Sequence, residues 1–136
     1  MSIIRPRTPL TGGLPLVRPR APKAHKRRAT GFSPAVHELI RQRSQGHCEV
    51  CDTREFWPQH HHRRPRGAGG TRRESTNEAS NGLALCGPCH ALIESHRNWA
   101  LVHGWLVNQN ADPRLVKVLT RHGWVRLTDA GSMEAA

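Results

Sequence analysis

Asn81-Gly82-Leu83-Ala84-Leu85-Cys86-Gly87-Pro88-Cys89-His90 joins a turn, a strand, a cysteine knuckle and a helix start in ten residues. Asn81-Gly82 signals a turn, Leu83-Ala84-Leu85 is a short apolar run, and Pro88 opens a helix whose Ala91, Leu92 and Ile93 supply a packing face. Two residues separate Cys86 from Cys89, and the same spacing recurs upstream in Cys48-Glu49-Val50-Cys51. That spacing lets both sulfurs of a knuckle face one ion, and two knuckles complete a tetrahedral site. Two disulfides or a redox couple are the alternatives. Neither accounts for two matched knuckles in a chain that shows no apolar export signal, so Cys48, Cys51, Cys86 and Cys89 are read as ligands of a structural zinc.

The rest of the composition fits a protein that needs such a staple. Of 136 residues 36% are hydrophobic, with two Phe and no Tyr, which bounds the chain to one small domain with a thin core. The net charge is +11, and ten histidines add to it when protonated, so a polyanion such as nucleic acid is the expected partner. No segment approaches the ~20 apolar residues of a membrane span. The expectation is a protein without membrane contact, cytoplasmic, and a monomer or weak dimer.

Working outward from the knuckles, residues 1–30 read as a disordered basic arm. Arg5, Arg7, Arg18, Arg20, Lys23, Lys26, Arg27 and Arg28 stand among prolines at 6, 9, 15, 19 and 22. Ser33-Pro34 starts a helix that Gly46 should end, with Val36, Leu39 and Ile40 on one face turned toward the zinc site. Residues 54–62 are expected to form a strand leading into His60-His61-His62, followed by a Gly- and Arg-rich loop over 63–80. The pattern His103-Gly104-Trp105-Leu106-Val107 returns as His122-Gly123-Trp124-Val125-Arg126-Leu127, which suggests a pair of short C-terminal strands with the tryptophans in the core. After Asp129 the tail, 129–136, should fray. The domain is thus placed at 31–128.

Taken together, Cys48-x-x-Cys51, His61-His62-Arg63-Arg64-Pro65-Arg66-Gly67 and Asn81 through His90 with its helix resemble the zinc-braced HNH endonucleases, a phage-type branch of the ββα-metal nucleases. The likeness spans residues 48–97. It implies an α+β fold: a zinc-anchored ββα-metal core with a preceding helix and a C-terminal strand pair. It further implies that His61 ligates a catalytic divalent metal (Mg2+, Mn2+, Ni2+ or Zn2+), that His62 is the general base, and that Asn81 orients that base through its own hydrogen bond. His90 would complete the metal site, with Glu94 one helical turn on as a further ligand, or His96 in its place. His60 is the alternative if the register slips by one. The family's usual outcome is DNA hydrolysis leaving 5′-phosphate and 3′-hydroxyl ends. By analogy alone the setting extends to a phage protein in bacterial cytoplasm, acting beside terminase subunits in packaging.

The chemistry supports these assignments independently. Adjacent histidines on a strand point to opposite faces, so one can bind a metal while its neighbour meets a substrate. A neutral imidazole can take a proton from water near pH 7, and a divalent cation can relieve charge on a phosphoryl group. Arg63, Arg64, Arg66, Arg72 and Arg73 are placed to grip phosphates, contacts that position a backbone but read little sequence. The main alternative is a non-catalytic zinc module that binds nucleic acid. An RNase on the same scaffold is another.

Overall fold

The computed structural model describes residues 31–67 and 73–136, a mixed α+β arrangement with two small sheets and the four cysteines gathered together. The basic arm and Arg72 lie outside the described residues. Helix α1 runs Pro34–Ser44; the Ser33 hydroxyl accepts from the Val36 amide at 3.2 Å, and Pro34 sits where no backbone donor is needed. It closes on Gln45 and Gly46, both at positive φ (54° and 78°). This is the left-handed stop that the sequence expects.

Strand β1 (Gln59–His62) pairs antiparallel with β2 (Gly82–Leu85), with His61 opposite Leu83 and Gln59 opposite Leu85. The strand expected over 54–62 is therefore shorter, and Phe56 and Trp57 stand in solvent ahead of it, 77% and 88% exposed. All four residues of β2 are buried, because the hairpin is covered on both faces. On one face Ala84 joins Phe32, Ile40 and Ala79 beneath α1; on the other Leu83 and Leu85 join Ile93, Trp105, Leu106, Val118, Val125 and Leu127. Gly82 is required by this packing: a Cβ there would stand 2.4 Å from Ile40 Cδ1. Helix α1 thus packs on the hairpin rather than on the cysteines. Arg43 links it to the first knuckle, its guanidinium gripping the Glu49 carboxylate at 2.6 and 2.9 Å.

Helix α2 (Gly87–Ser95) follows β2 directly and breaks at His96 before a short α3 (Arg97–Val102). The C-terminal sheet differs from the expected strand pair in two ways. The second copy of the repeat does form a strand, β4 (Gly123–Leu127), but its partner is β3 (Val118–Thr120), not residues 103–107. The first copy is a turn at the end of α3, where Gly104 adopts φ +72° and a Cβ would meet the Lys117 carbonyl oxygen at 2.0 Å. The tail is not frayed either: β5 (Met133–Ala135) pairs with Val125–Leu127. Trp105 is core as expected, whereas Trp124 is 38% exposed with the Lys117 ammonium over its ring. No helix among the described residues is long and apolar enough to cross a membrane.

Candidate metal centres

The two knuckles converge where the end of β2 meets the loop after α1. Cys48 is tied back by its amide to the Thr53 carbonyl, Asp52 takes φ 65° at the turn, and Cys86 occupies the cap position of α2 with Cys89 in the first turn. The four sulfurs lie within 4.8 Å of one another. Cys51 Sγ and Cys86 Sγ are 3.7 Å apart, far beyond a disulfide. A zinc tetrathiolate with Zn–S bonds near 2.3 Å has sulfur–sulfur edges of about 3.8 Å, so the cluster has the dimensions of that site. Burial pushes the Cys86 and Cys89 thiols up. Burial acts the same way on Cys51, but hydrogen bonds to Thr53 outweigh it and bring that thiol down to about 6. Ionising all four needs a cation among them, and loading it releases protons.

Strand alternation explains the second cluster. Gln59 and His61 point toward α2, while His60 and His62 point toward α1. On the α2 side the nitrogens of His61 and His90 and a carboxylate oxygen of Glu94 lie within 4.8 Å of one another. His61 Nδ1 and His90 Nε2 each stand 3.9 Å from Glu94 Oε1. The other ring nitrogens are already committed: His61 Nε2 donates to the Trp105 carbonyl at 2.9 Å, and His90 Nδ1 donates to the Gln59 side-chain oxygen. Those outer bonds leave His61 Nδ1 and His90 Nε2, the two nitrogens nearest Glu94, as the unprotonated ones. Arg97 holds the second oxygen of Glu94 at 3.0 Å. Burial holds His61 well below the usual imidazole range, at about 4, against a smaller upward pull from its Trp105 bond. It is therefore a neutral donor at physiological pH. Glu94, not His96, joins the cluster; His96 sits at the break between α2 and α3.

His60 and His62 take different partners. His60 Nδ1 meets His37 Nδ1 of α1 at 2.5 Å, so the His61 register is the one that forms the three-residue cluster. His62 stacks on Phe32 with ring centroids 3.9 Å apart, and its Nε2 donates to Asn77 Oδ1 at 3.0 Å. Among the described residues its Nδ1 makes no hydrogen bond. Burial lowers the His62 pKa below the ordinary 6.5, with the Asn77 bond opposing. All three histidines line one open cleft with Arg66, His90, Glu94 and Arg97.

Asn81 does not orient His62. Its side chain is fully buried, accepts the Arg64 amide at 2.7 Å, and donates to the Arg64 and Thr76 carbonyls at 3.1 and 2.8 Å. It clamps the chain leaving β1 to the chain entering β2, and so fixes the hairpin that presents the histidines. Asn77 is the residue the sequence reading missed. It sits in a short 3₁₀ turn, Glu74–Asn77, with no periodic signal to single it out.

Two of the expected phosphate-gripping arginines also face inward. Arg63 is 0% exposed, and its guanidinium donates to the carbonyls of Gly104, Ser80, Pro113 and Val116. Arg64, 5% exposed, donates to the Ala111 carbonyl and the Ser75 hydroxyl. Both tie the long 103–117 connection to the hairpin, with their guanidinium groups turned into the protein. Arg73 donates to the Gln109 carbonyl. Arg66 remains at the cleft, joined by Arg97, which the sequence reading did not single out. Set against family models, curated proteins and solved structures, the chain matches none.

Proposed function

We propose that this chain is a metal-dependent endonuclease of the HNH type that hydrolyses DNA phosphodiester bonds. The observation that carries the reading is the convergence of His61, His90 and Glu94 in one cleft with His62, on a hairpin and helix framed by four cysteines. A divalent cation held by His61, His90 and Glu94 would supply charge relief on the phosphoryl oxygens and stabilise the leaving 3′ oxygen. Within the chain, His62 is neutral near pH 7 and takes the proton of the attacking water at Nδ1, while Asn77 fixes its ring. Arg66 and Arg97 hold the phosphate by charge. The net charge of +11 favours a polyanionic substrate, and phosphate contacts of this kind select little sequence.

Supercoiled plasmid incubated with the zinc-loaded protein and each of Mg2+, Mn2+ and Ni2+ tests this directly. Nicked or linear DNA is expected with at least one of them. No cleavage by a folded, zinc-loaded protein with any of these ions favours the non-catalytic binding module instead.

The pH dependence follows from the base. Because burial lowers the His62 pKa, its neutral form persists below pH 6.5, and the acid limb of cleavage lies under that value. The Asn77 hydrogen bond raises the pKa, so Asn77→Ala should move the limb to lower pH. A carboxylate in Asn77→Asp should favour the imidazolium and move it to higher pH. A limb that stays fixed in both variants removes Asn77 from this role.

A further inference from the structure

Phe56 and Trp57 are the two most exposed aromatic side chains among the described residues, adjacent in sequence and 77% and 88% exposed. Two such rings cost free energy in water and do nothing for this fold. The loop bearing them is nevertheless fixed. The Glu55 amide donates to the Gly46 carbonyl at 2.9 Å, and the Glu55 carboxylate accepts the Trp57 amide at 3.1 Å. Arg54 and His47 form a bridge beside the first cysteine knuckle, and the Arg54 guanidinium lies 5.4 Å from the centre of the Phe56 ring.

Arginine and glutamate alternate around the rings, with Arg41 paired to Glu38 and Arg54 beside Phe56. A groove runs between this loop and α1, lined by His37, Arg41, Phe56, Trp57 and His60 among others. Its acidic member, Glu38, is already bound by Arg41 and Gln42. Glu55 is occupied by the Trp57 amide. His60 lines both this groove and the cleft of His61, His62, His90 and Glu94, so the two adjoin at that residue. Exposed aromatic faces on a hydrogen-bonded loop, with Arg41 and Arg54 beside them on a chain of net charge +11, match the way proteins hold single-stranded nucleic acid. Bases stack on the rings and cations track the backbone.

We propose that Phe56 and Trp57 form a base-stacking platform that binds an unpaired strand of DNA and feeds it along the α1 groove to the cleft. The proposal rests on the reading of that cleft as a phosphodiester site, and it predicts a preference for unstacked over fully duplex DNA. Neither ring contributes to the buried clusters, so substituting them leaves folding and zinc content intact.

Binding of fluorescently labelled single-stranded and duplex oligonucleotides of one sequence, without added Mg2+, Mn2+ or Ni2+, tests the platform separately from cleavage. Trp57→Ala is expected to weaken single-strand binding about tenfold, and Phe56→Ala/Trp57→Ala by more, with duplex affinity changed less than about threefold. Trp57→Phe should retain most of the affinity, and single-strand binding should quench wild-type tryptophan emission more than it quenches Trp57→Phe. Equal losses for both DNA forms, or no loss for either, overturn the platform. So does loss of self-association in the double variant with DNA binding unchanged, which would make the patch a protein contact. Plasmid cleavage by wild type is scored independently. Selective stacking with no cleavage condemns the catalytic reading alone, and cleavage with no stacking condemns the platform alone.

Discussion

His62→Ala is expected to slow plasmid cleavage by about 10²–10⁴-fold, the usual contribution of a positioned general base and equivalent to ~3–5 kcal/mol in the barrier. The size follows from what the substitution leaves untouched. His62 is not among the three clustered residues, so metal affinity should persist while the proposed proton acceptor disappears. The change also removes a ring stacked on Phe32. Zinc content and the thermal transition therefore need to be measured alongside the rate, and His62→Gln, which keeps more of the stacked volume, should be as inactive as alanine. Cleavage within about threefold of wild type, by protein that still binds both metals, would remove His62 as the base.

Cys86→Ser should abolish folding rather than weaken it. Serine is a favourable helix cap, so the start of α2 survives the exchange and the loss is confined to the thiolate. Zinc contributes on the order of 10–16 kcal/mol in small zinc-dependent folds, against total stabilities of about 5–15 kcal/mol for ordinary domains. With only 36% hydrophobic residues, this chain has little to set against that deficit. The variant is expected to carry no zinc and to show no cooperative melting by circular dichroism, as should wild type stripped with a strong chelator. A variant that melts like wild type would show the cysteine cluster to be dispensable for the fold.

Much of this arrangement is legible in local sequence. Cysteine spacing predicts the four-sulfur cluster, Ser33-Pro34 and Gly46 bound α1, and strand alternation puts His61 and His62 on opposite faces. His90 and Glu94, four apart on a helix, share a face for the same kind of reason. What is not legible depends on acceptors far along the chain. Nothing near Arg63 or Arg64 announces that carbonyls at Ser80, Gly104, Ala111, Pro113 and Val116 will surround them, so a run of arginines reads as a phosphate grip when two of them are internal ties. Asn81 is misread for a related reason. Its position marks it as important, but only the path of the chain between β1 and β2 shows that it clamps backbone and leaves His62 to Asn77. The last strand escapes because Met133–Ala135 carries no alternation; its pairing is set by the edge that β4 offers.

A second ion, distinct from one held by the cysteines, is proposed at His61, His90 and Glu94 as the ion that cleavage needs. A titration of zinc-loaded protein with Mn2+, following binding heat and plasmid cleavage on the same samples, tests it most directly. One Mn2+ per chain is expected, with cleavage that rises in step with its occupancy and a parallel shift of both curves to higher metal in His90→Ala. Cleavage that ignores occupancy, or Mn2+ binding that His90→Ala leaves unchanged, would contradict it.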